Sequence, residues 1–211
     1  ARIVSVDKSM IAARGRKPSK FPNASKRGLD TQAGWGRSAH DGWVWGYSYE
    51  VVVCSGKDGL ILPLLASVST ASASEHRSFD SKISRLPRST CYVLGDSAYD
   101  NNRFGEEIEF DRKGKRIRRF LTPMVTRGGK PAVGQTKHKG RRERERQHRI
   151  ARAKYFESKP GRRLYRRRRE TVEPFNDWFK ERFELQERVW HYGLANNQTM
   201  LLAGLFIYQT L

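Results

Sequence analysis

Residues 92–96 read Tyr92-Val93-Leu94-Gly95-Asp96, a short apolar run closed by a glycine and a carboxylate. A compact run of this kind reads as a buried strand. Gly95 lets another backbone approach closely. Asp96 is left at the strand end, where a buried carboxylate is costly unless it is paired, hydrogen-bonded or bound to a cation. Upstream, residues 3–9 form a second short strand with Asp7 near its end, followed by a polar, Gly-rich and Trp-containing connection over 11–45. Residues 46–54 (GYSYEVVVC) and 60–70 (LILPLLASVST) are β-rich and separated by Ser55-Gly56-Lys57-Asp58-Gly59. That spacer is a turn signal, and the pair reads as an antiparallel hairpin. Helices are predicted over 75–86, with Ser74 as N-cap, and around 101–110, and a further strand over 119–125. Residues 171–183 and 194–211 read as two closing helices. This order supports an α/β fold, a mixed central sheet flanked by helices.

Charge narrows the partner. The chain of 211 residues carries 42 Lys and Arg against 22 Asp and Glu, a formal +20. At 37% hydrophobic it has enough apolar material for a real core. A surplus that large repels itself unless a polyanion compensates it, and nucleic acid does so by releasing counterions from each neutralised phosphate. The surplus is concentrated in residues 127–169, with 18 Lys and Arg against Glu143, Glu145 and Glu157, a net +15. The start of that stretch is loop-like and residues 141–155 suit a basic helix. No lipidation signal or amphipathic anchor favours a membrane, and the apolar segment from Met200 to Leu211 reads as a buried helix. Cys54 and Cys91 lie outside any metal-ligand spacing and read as small core thiols. The chain opens on Ala1 with neither a signal peptide nor an initiator Met, which suggests a fragment or trimmed form, with any domain before Ala1 outside this sequence.

The acids gain meaning together. Asp7 and Asp96 end strands, and Glu173 begins a late helix. Three carboxylates brought together this way form a hard-oxygen site suited to Mg²⁺. Such a site can hold two ions about 3.5–4 Å apart for in-line phosphoryl transfer. Arg169, Glu173 and Lys180 are spaced i, i+4 and i+11, which places them on one helical face. Val172, Phe175, Phe179 and Phe183 make an apolar stripe beside them. Pro174 fits only the first helical turn. With Thr171 as N-cap it takes the third position, and Arg169 then lies just before the helix while Glu173 and Lys180 still share a face.

The chain resembles the DDE transposases of bacterial insertion sequences, the group with a Tyr-Arg-Glu-Lys signature around the final acid. Arg169, Glu173 and Lys180 match that signature, while Tyr165 stands one residue further from Arg169 than the pattern asks. VDKSMIAARG around Asp7, the block LDTQAGWGRSAHDGWVWGYSYEVVV, VLGDSAYD around Asp96 and the closing NNQTMLLAGLFIYQTL extend the likeness over most of the chain. The resemblance implies an RNase H-like fold with a core over 1–125, a basic insertion over 126–168 and core helices over 169–211. It also implies catalysis and metal binding by Asp7, Asp96 and Glu173, with Mg²⁺ or Mn²⁺, as two ions. DNA contacts would come from Arg169 and Lys180, helped by Arg166, Arg167, Arg168, Arg141 and Arg142. The implied partners are element ends and target duplex, with a homodimer for synapsis, in the cytoplasm at the nucleoid.

Other residues read more plainly. Trp35, Trp43 and Trp45 suit core packing or a lid on the sheet better than base stacking. The five histidines show no metal spacing. Asp30 and Asp41 suit loop capping. An aromatic wedge in the basic insertion would have to be Tyr155 or Phe156. Two other functions share these features. One is a non-catalytic DNA-binding protein derived from a transposase. The other is a metal-dependent nuclease that joins no strands.

Overall fold

The computed structural model describes residues 2–19, 26–38, 41–56, 59–125 and 140–210. The strands are β1 (Ile3–Ala12), β2 (Gly34–Ser38), β3 (Gly42–Ser55) and β4 (Ile61–Thr70), after which α1 (Glu75–Ile83) precedes β5 (Tyr92–Leu94). Then come a short 3₁₀ turn over Ser97–Tyr99, α2 (Asn102–Glu109), β6 (Arg119–Leu121), α3 (Arg141–Glu157), α4 (Lys159–Arg166), α5 (Val172–Arg182) and α6 (Leu194–Thr210). Five strands run in the order β2-β3-β1-β5-β6, and β4 lies against the rest of β3's outer edge. β1, β5 and β6 are mutually parallel, while β3 pairs antiparallel with β1, β2 and β4.

The sheet is mixed and covered on both faces, and period-2 alternation decides which residue meets which cover. Along β3, Tyr47, Tyr49, Val51 and Val53 join the core beneath α5 and α6, with Phe175, Phe179, Leu201 and Leu205. Val52 and Cys54 face the other core, with Phe79 of α1 and Phe104 and Ile108 of α2. β1 alternates likewise. Val4 and Val6 join the α1 side, whereas Ser5 bonds Thr171 at the start of α5, with 2.8 Å between the hydroxyl oxygens. Asp7, two residues on, therefore points to the α5 side as well.

Some expectations need correction. The connection over 11–45 contains β2, whose Gly-Trp-Gly-Arg-Ser sequence lacks the usual β-branched residues. Trp43 is 65% exposed and Trp35 40%, because this part of β3 and its partner β2 stand at the sheet's outer edge; only Trp45 packs against the core. Cys91 is exposed, since it precedes β5 instead of lying within it. α6 is buried along Leu201 and Leu205 and exposed at Leu202, Phe206 and Ile207, so it is not a wholly buried helix. Among the described residues no helix is long and apolar enough to cross a membrane. The loop-like stretch 126–139 lies outside the described residues.

One buried polar cluster ties the α1 side together. Glu50 on β3 is almost fully buried and accepts from Lys82 Nζ (2.7 Å), Ser78 Oγ (2.6 Å) and Tyr99 Oη (2.9 Å). Lys82 also reaches Ser67 on β4. Burial pulls the Lys82 ammonium below its ordinary range and Glu50 pushes it back. Removing only one partner of a buried ion pair leaves the other charge uncompensated. Lys82→Met is therefore expected to destabilise the domain by about 3 kcal/mol in urea unfolding at pH 7. Adding Glu50→Gln to it should restore most of that loss. A double variant as unstable as the single would show that Glu50 does not depend on Lys82.

Candidate active site

The site starts from strand register. β1 and β5 are parallel with Ser5 opposite Leu94, and Asp7 and Asp96 each follow two residues later. Parallel neighbours thus set the two carboxylates at equal offsets, with Asp96 just past the end of β5 but Asp7 in the middle of β1, which runs on to Ala12, so the expectation that Asp7 closes its strand does not hold. Behind Asp96, Gly95 N donates to Leu121 O, and a Cβ on Gly95 would lie 3.2 Å from Tyr99. That space is what the glycine supplies. Asp96 Oδ1 accepts from Ala98 N (2.9 Å), capping the 3₁₀ turn, and its carbonyl accepts from Thr122 Oγ1. Tyr99 at the end of that turn is held by Glu50 on the α1 side of the sheet.

The third acid arrives on α5. Thr171 is the N-cap residue, and Pro174 takes the third helical position, where no helical donor is lost. The apolar stripe anchors the helix, with Val172, Phe175 and Phe179 buried. Glu173 then lies on the side of α5 toward Asp7 of β1, and Lys180, two turns on, lies partly buried on the same side. Burial lowers the Lys180 ammonium below its usual value, opposed by Asp41, Asp177 and Asp7.

What joins the acids is Arg168. Its Nη2 donates to Asp7 Oδ1 at 2.5 Å and its Nη1 to Glu173 Oε1 at 2.9 Å. Asp7 Oδ2 accepts in turn from Asn176 Nδ2 at 2.8 Å. The spacing of the signature pointed to Arg169, but Arg169 is exposed and it is Arg168 that turns inward. Residues 167–170 form a turn that ends on Thr171, and the Thr171 hydroxyl is fastened to Ser5 and to Arg167 O. That fastening rotates Arg168 toward β1. Arg168 therefore sits among the carboxylates, where it had been expected on DNA. Asn176 was also not foreseen. It stands three residues after Glu173, a helical spacing that could have shown it.

Electrostatics explain the arrangement. Burial pushes the Asp7 carboxyl up to about 6; Arg168 pulls it back, and Asp96 and Glu173 push it further up. Burial likewise raises Asp96, against Arg168 and the Ala98 amide. Burial opposes the Arg168 charge, and Asp7, with Tyr165, Asp96 and Glu173, more than offsets that. Among the described residues no three Asp, Glu, His or Cys side chains stand close enough to share one ion as arranged. The donor set nevertheless fits a hard divalent cation, because it is all oxygen and Asp96 and Glu173 raise the proton affinity of Asp7. Asn176 Oδ1, buried without a hydrogen-bond partner among the described residues, adds a further hard oxygen nearby.

A family model described as the transposase DDE domain matches residues 1–209. The chain belongs to that family. No curated protein and no solved structure matches it. The mixed sheet flanked by helices is the RNase H-like architecture of DDE transposases, whose members generally work with divalent metal ions.

The other candidates resolve as follows. Asp30 caps its turn through Gln32 N (3.1 Å) and also accepts from Tyr47 Oη (2.7 Å) and Gly193 N (3.0 Å), tying the loop to the start of α6. Asp41 bonds Ser38 in the β2–β3 turn. Tyr155 lies under Arg119, 4.2 Å from guanidinium to ring, and Phe156 packs edge-on against Tyr165. Packing thus engages both rings considered as a wedge.

Asp7 supplies a pH test. Its folded pKa is raised above the unfolded value, so the stability it contributes is complete below about pH 4 and is lost as pH rises through about 6. In metal-free urea unfolding, the stability of the native chain relative to Asp7→Asn should fall by about 3 kcal/mol between pH 4 and pH 7.5. A difference that does not change with pH would mean that Asp7 is not desolvated as described.

Proposed function

We propose that this transposase domain cleaves DNA at element ends and joins the freed 3′-hydroxyl to target DNA at Asp7, Asp96 and Glu173. The observation that supports this reading most is one guanidinium bonded to both Asp7 of β1 and Glu173 in the first turn of α5, with Asp96 just past the end of the neighbouring strand β5. With Arg168 moved aside, those three carboxylates would hold divalent ions, Mg²⁺ or Mn²⁺, as a pair. When bound, such ions activate an attacking oxygen and stabilise the leaving one. The protein's share is positioning. Asn176 orients Asp7, the Ala98 amide fixes Asp96, and the Thr171–Ser5 bond sets the helix that carries Glu173.

The DNA backbone lies across exposed arginines in this reading. Residues 1–125 and 169–211 form the catalytic core, and 126–168 is the basic insertion that grips phosphate. Arg141, Arg142, Arg166, Arg167 and Arg169 are exposed around α3, α4 and the following turn. Lys180 supplies a cation beside the acids. These contacts bear on phosphate, so they are insensitive to target sequence. Two ends need two active sites, and a homodimer supplies them. A non-catalytic DNA-binding role draws support from one feature, the guanidinium standing between Asp7 and Glu173.

Supercoiled-plasmid nicking separates the readings. With Mg²⁺ or Mn²⁺ the native chain should nick, and Asp96→Asn at matched DNA occupancy should lose more than about a hundredfold in rate, since even outer-shell changes cost 10–100-fold. Joining of a 3′-hydroxyl duplex to the plasmid distinguishes transposition from simple nuclease action. DNA binding without nicking by either protein would leave the non-catalytic reading standing. In filter binding, Arg166→Ala or Arg169→Ala should weaken all sequences alike and reduce the salt slope by about 1 each. A sequence-selective loss would contradict the phosphate assignment.

A further inference from the structure

Arg168 is held differently from Arg149, the arginine that meets Asp100. Arg149 clamps Asp100 with Nε and Nη2 and also reaches Val125 O, so it is bound on several sides. The Arg168 side chain is more enclosed, 11% exposed against 26% for Arg149, yet its Nε, like that of buried Arg152, has no hydrogen-bond partner among the described residues. Its two bonds are divided, one to each of two carboxylates from different elements. A guanidinium normally settles where its fork of donors is met by one carboxylate or phosphate. Here it spans a gap between two acids and leaves a donor unmet. Its backbone, by contrast, is fixed, because the amides of Thr171 and Val172 both donate to Arg168 O at the start of α5. Only the side chain has freedom to leave.

The gap it fills is the one a cation would take. Asp7 and Glu173 each give Arg168 one oxygen, and Asp96 lies close enough to act on its charge. We propose that Arg168 is the resident counter-ion of the acid site, and that a divalent metal ion binds by displacing its guanidinium from Asp7 and Glu173. This rests on the reading of Asp7, Asp96 and Glu173 as the metal-holding set. The displaced side chain, anchored at the first turn of α5, is then free to meet a phosphate, the anion that best matches its geometry after a carboxylate. One guanidinium thus answers two needs in succession. It keeps neighbouring acids from repelling one another before metal arrives, and it adds a cation for DNA afterwards.

The consequence is that Arg168 lowers metal affinity. The chain is competent to bind metal only in the fraction of molecules whose guanidinium is out, and apparent affinity is reduced by that fraction. Calorimetric titration of the DNA-free chain with Mn²⁺, for native, Arg168→Lys and Arg168→Gln proteins, tests this without any cleavage assay. Arg168→Gln should bind Mn²⁺ about tenfold more tightly than the native chain, with Arg168→Lys between them. In EDTA the melting temperature of Arg168→Gln should fall, and Mn²⁺ should raise it by more than it raises the native value. Equal or weaker Mn²⁺ binding by Arg168→Gln, with native binding intact, would overturn the counter-ion role and leave the acid site standing. Failure of Mn²⁺ to bind any of the three proteins would overturn both. If Arg168→Gln is too unstable to titrate, Asp7→Asn/Arg168→Gln decides the matter. The double variant should be more stable in EDTA than Arg168→Gln alone, and one no more stable would show that Arg168 does not compensate Asp7.

Discussion

Three carboxylates cannot share the end of a sheet without a positive charge among them, and much of this structure follows from how that charge is supplied. Parallel pairing of β1 and β5 makes the crowding unavoidable, because equal offsets past Ser5 and Leu94 put Asp7 and Asp96 abreast. Burial raises the proton affinity of both. The fold answers with Arg168 from the turn before α5, and that answer requires the turn to be held rigidly. The hydroxyl pair of Ser5 and Thr171 does this, a buried polar contact between the first strand and a helix 166 positions later. Satisfied polar contacts of this kind specify geometry more than they add stability.

The basic insertion is less free than its composition suggests. Arg144 pairs with Glu106, Arg149 with Asp100 and Arg152 with Glu109, so three of the arginines on α3 face acids on or beside α2. Arg119 covers Tyr155. These charges are neutralised within the protein and serve to dock α3 on the core. The outward arginines are Arg142, Arg166 and Arg169, with Arg141 and Arg167 exposed beside them but paired to Glu145 and Glu170. Net charge identified the kind of partner. Which arginines meet it depends on tertiary pairing that a count cannot show.

Legibility in the sequence followed the same division. β1, the β3–β4 hairpin, β5, α5 and α6 could be read because their apolar residues recur with the period of their element. Asp96 could be placed at a strand end because a carboxylate closing an apolar run needs a reason, whereas β1 runs on past Asp7 to Ala12 through residues that pair with β3. β2 could not, since Gly34-Trp35-Gly36-Arg37-Ser38 is a strand by virtue of its partner β3 alone. α4 was hidden in Lys159-Pro160-Gly161, where proline and glycine usually mark a break. In fact Ser158 caps the helix through Gly161 N, with the proline in its first turn. Among four consecutive arginines, spacing alone favours Arg169. Choosing Arg168 requires knowing that the turn after α4 is tied back to Ser5, a contact with no local signature.

The insertion is fastened to the site at both ends, and this follows from placement. At one end Arg149 grips Asp100, four residues after Asp96, and that same carboxylate accepts from Val125 N. At the other, α4 runs into the turn that carries Arg168, five residues before Glu173. On the proposed function, a strand of DNA drawn against the exposed face of α3 and α4 would therefore pull on segments that also hold the second and third acids. Such coupling needs no long pathway, because each link is a single ion pair or a short turn. It also explains why a stretch so rich in arginine should use several of them inward. Without those internal pairs the charged helices would bind phosphate equally well, but nothing would fix that phosphate relative to Asp96 and Glu173.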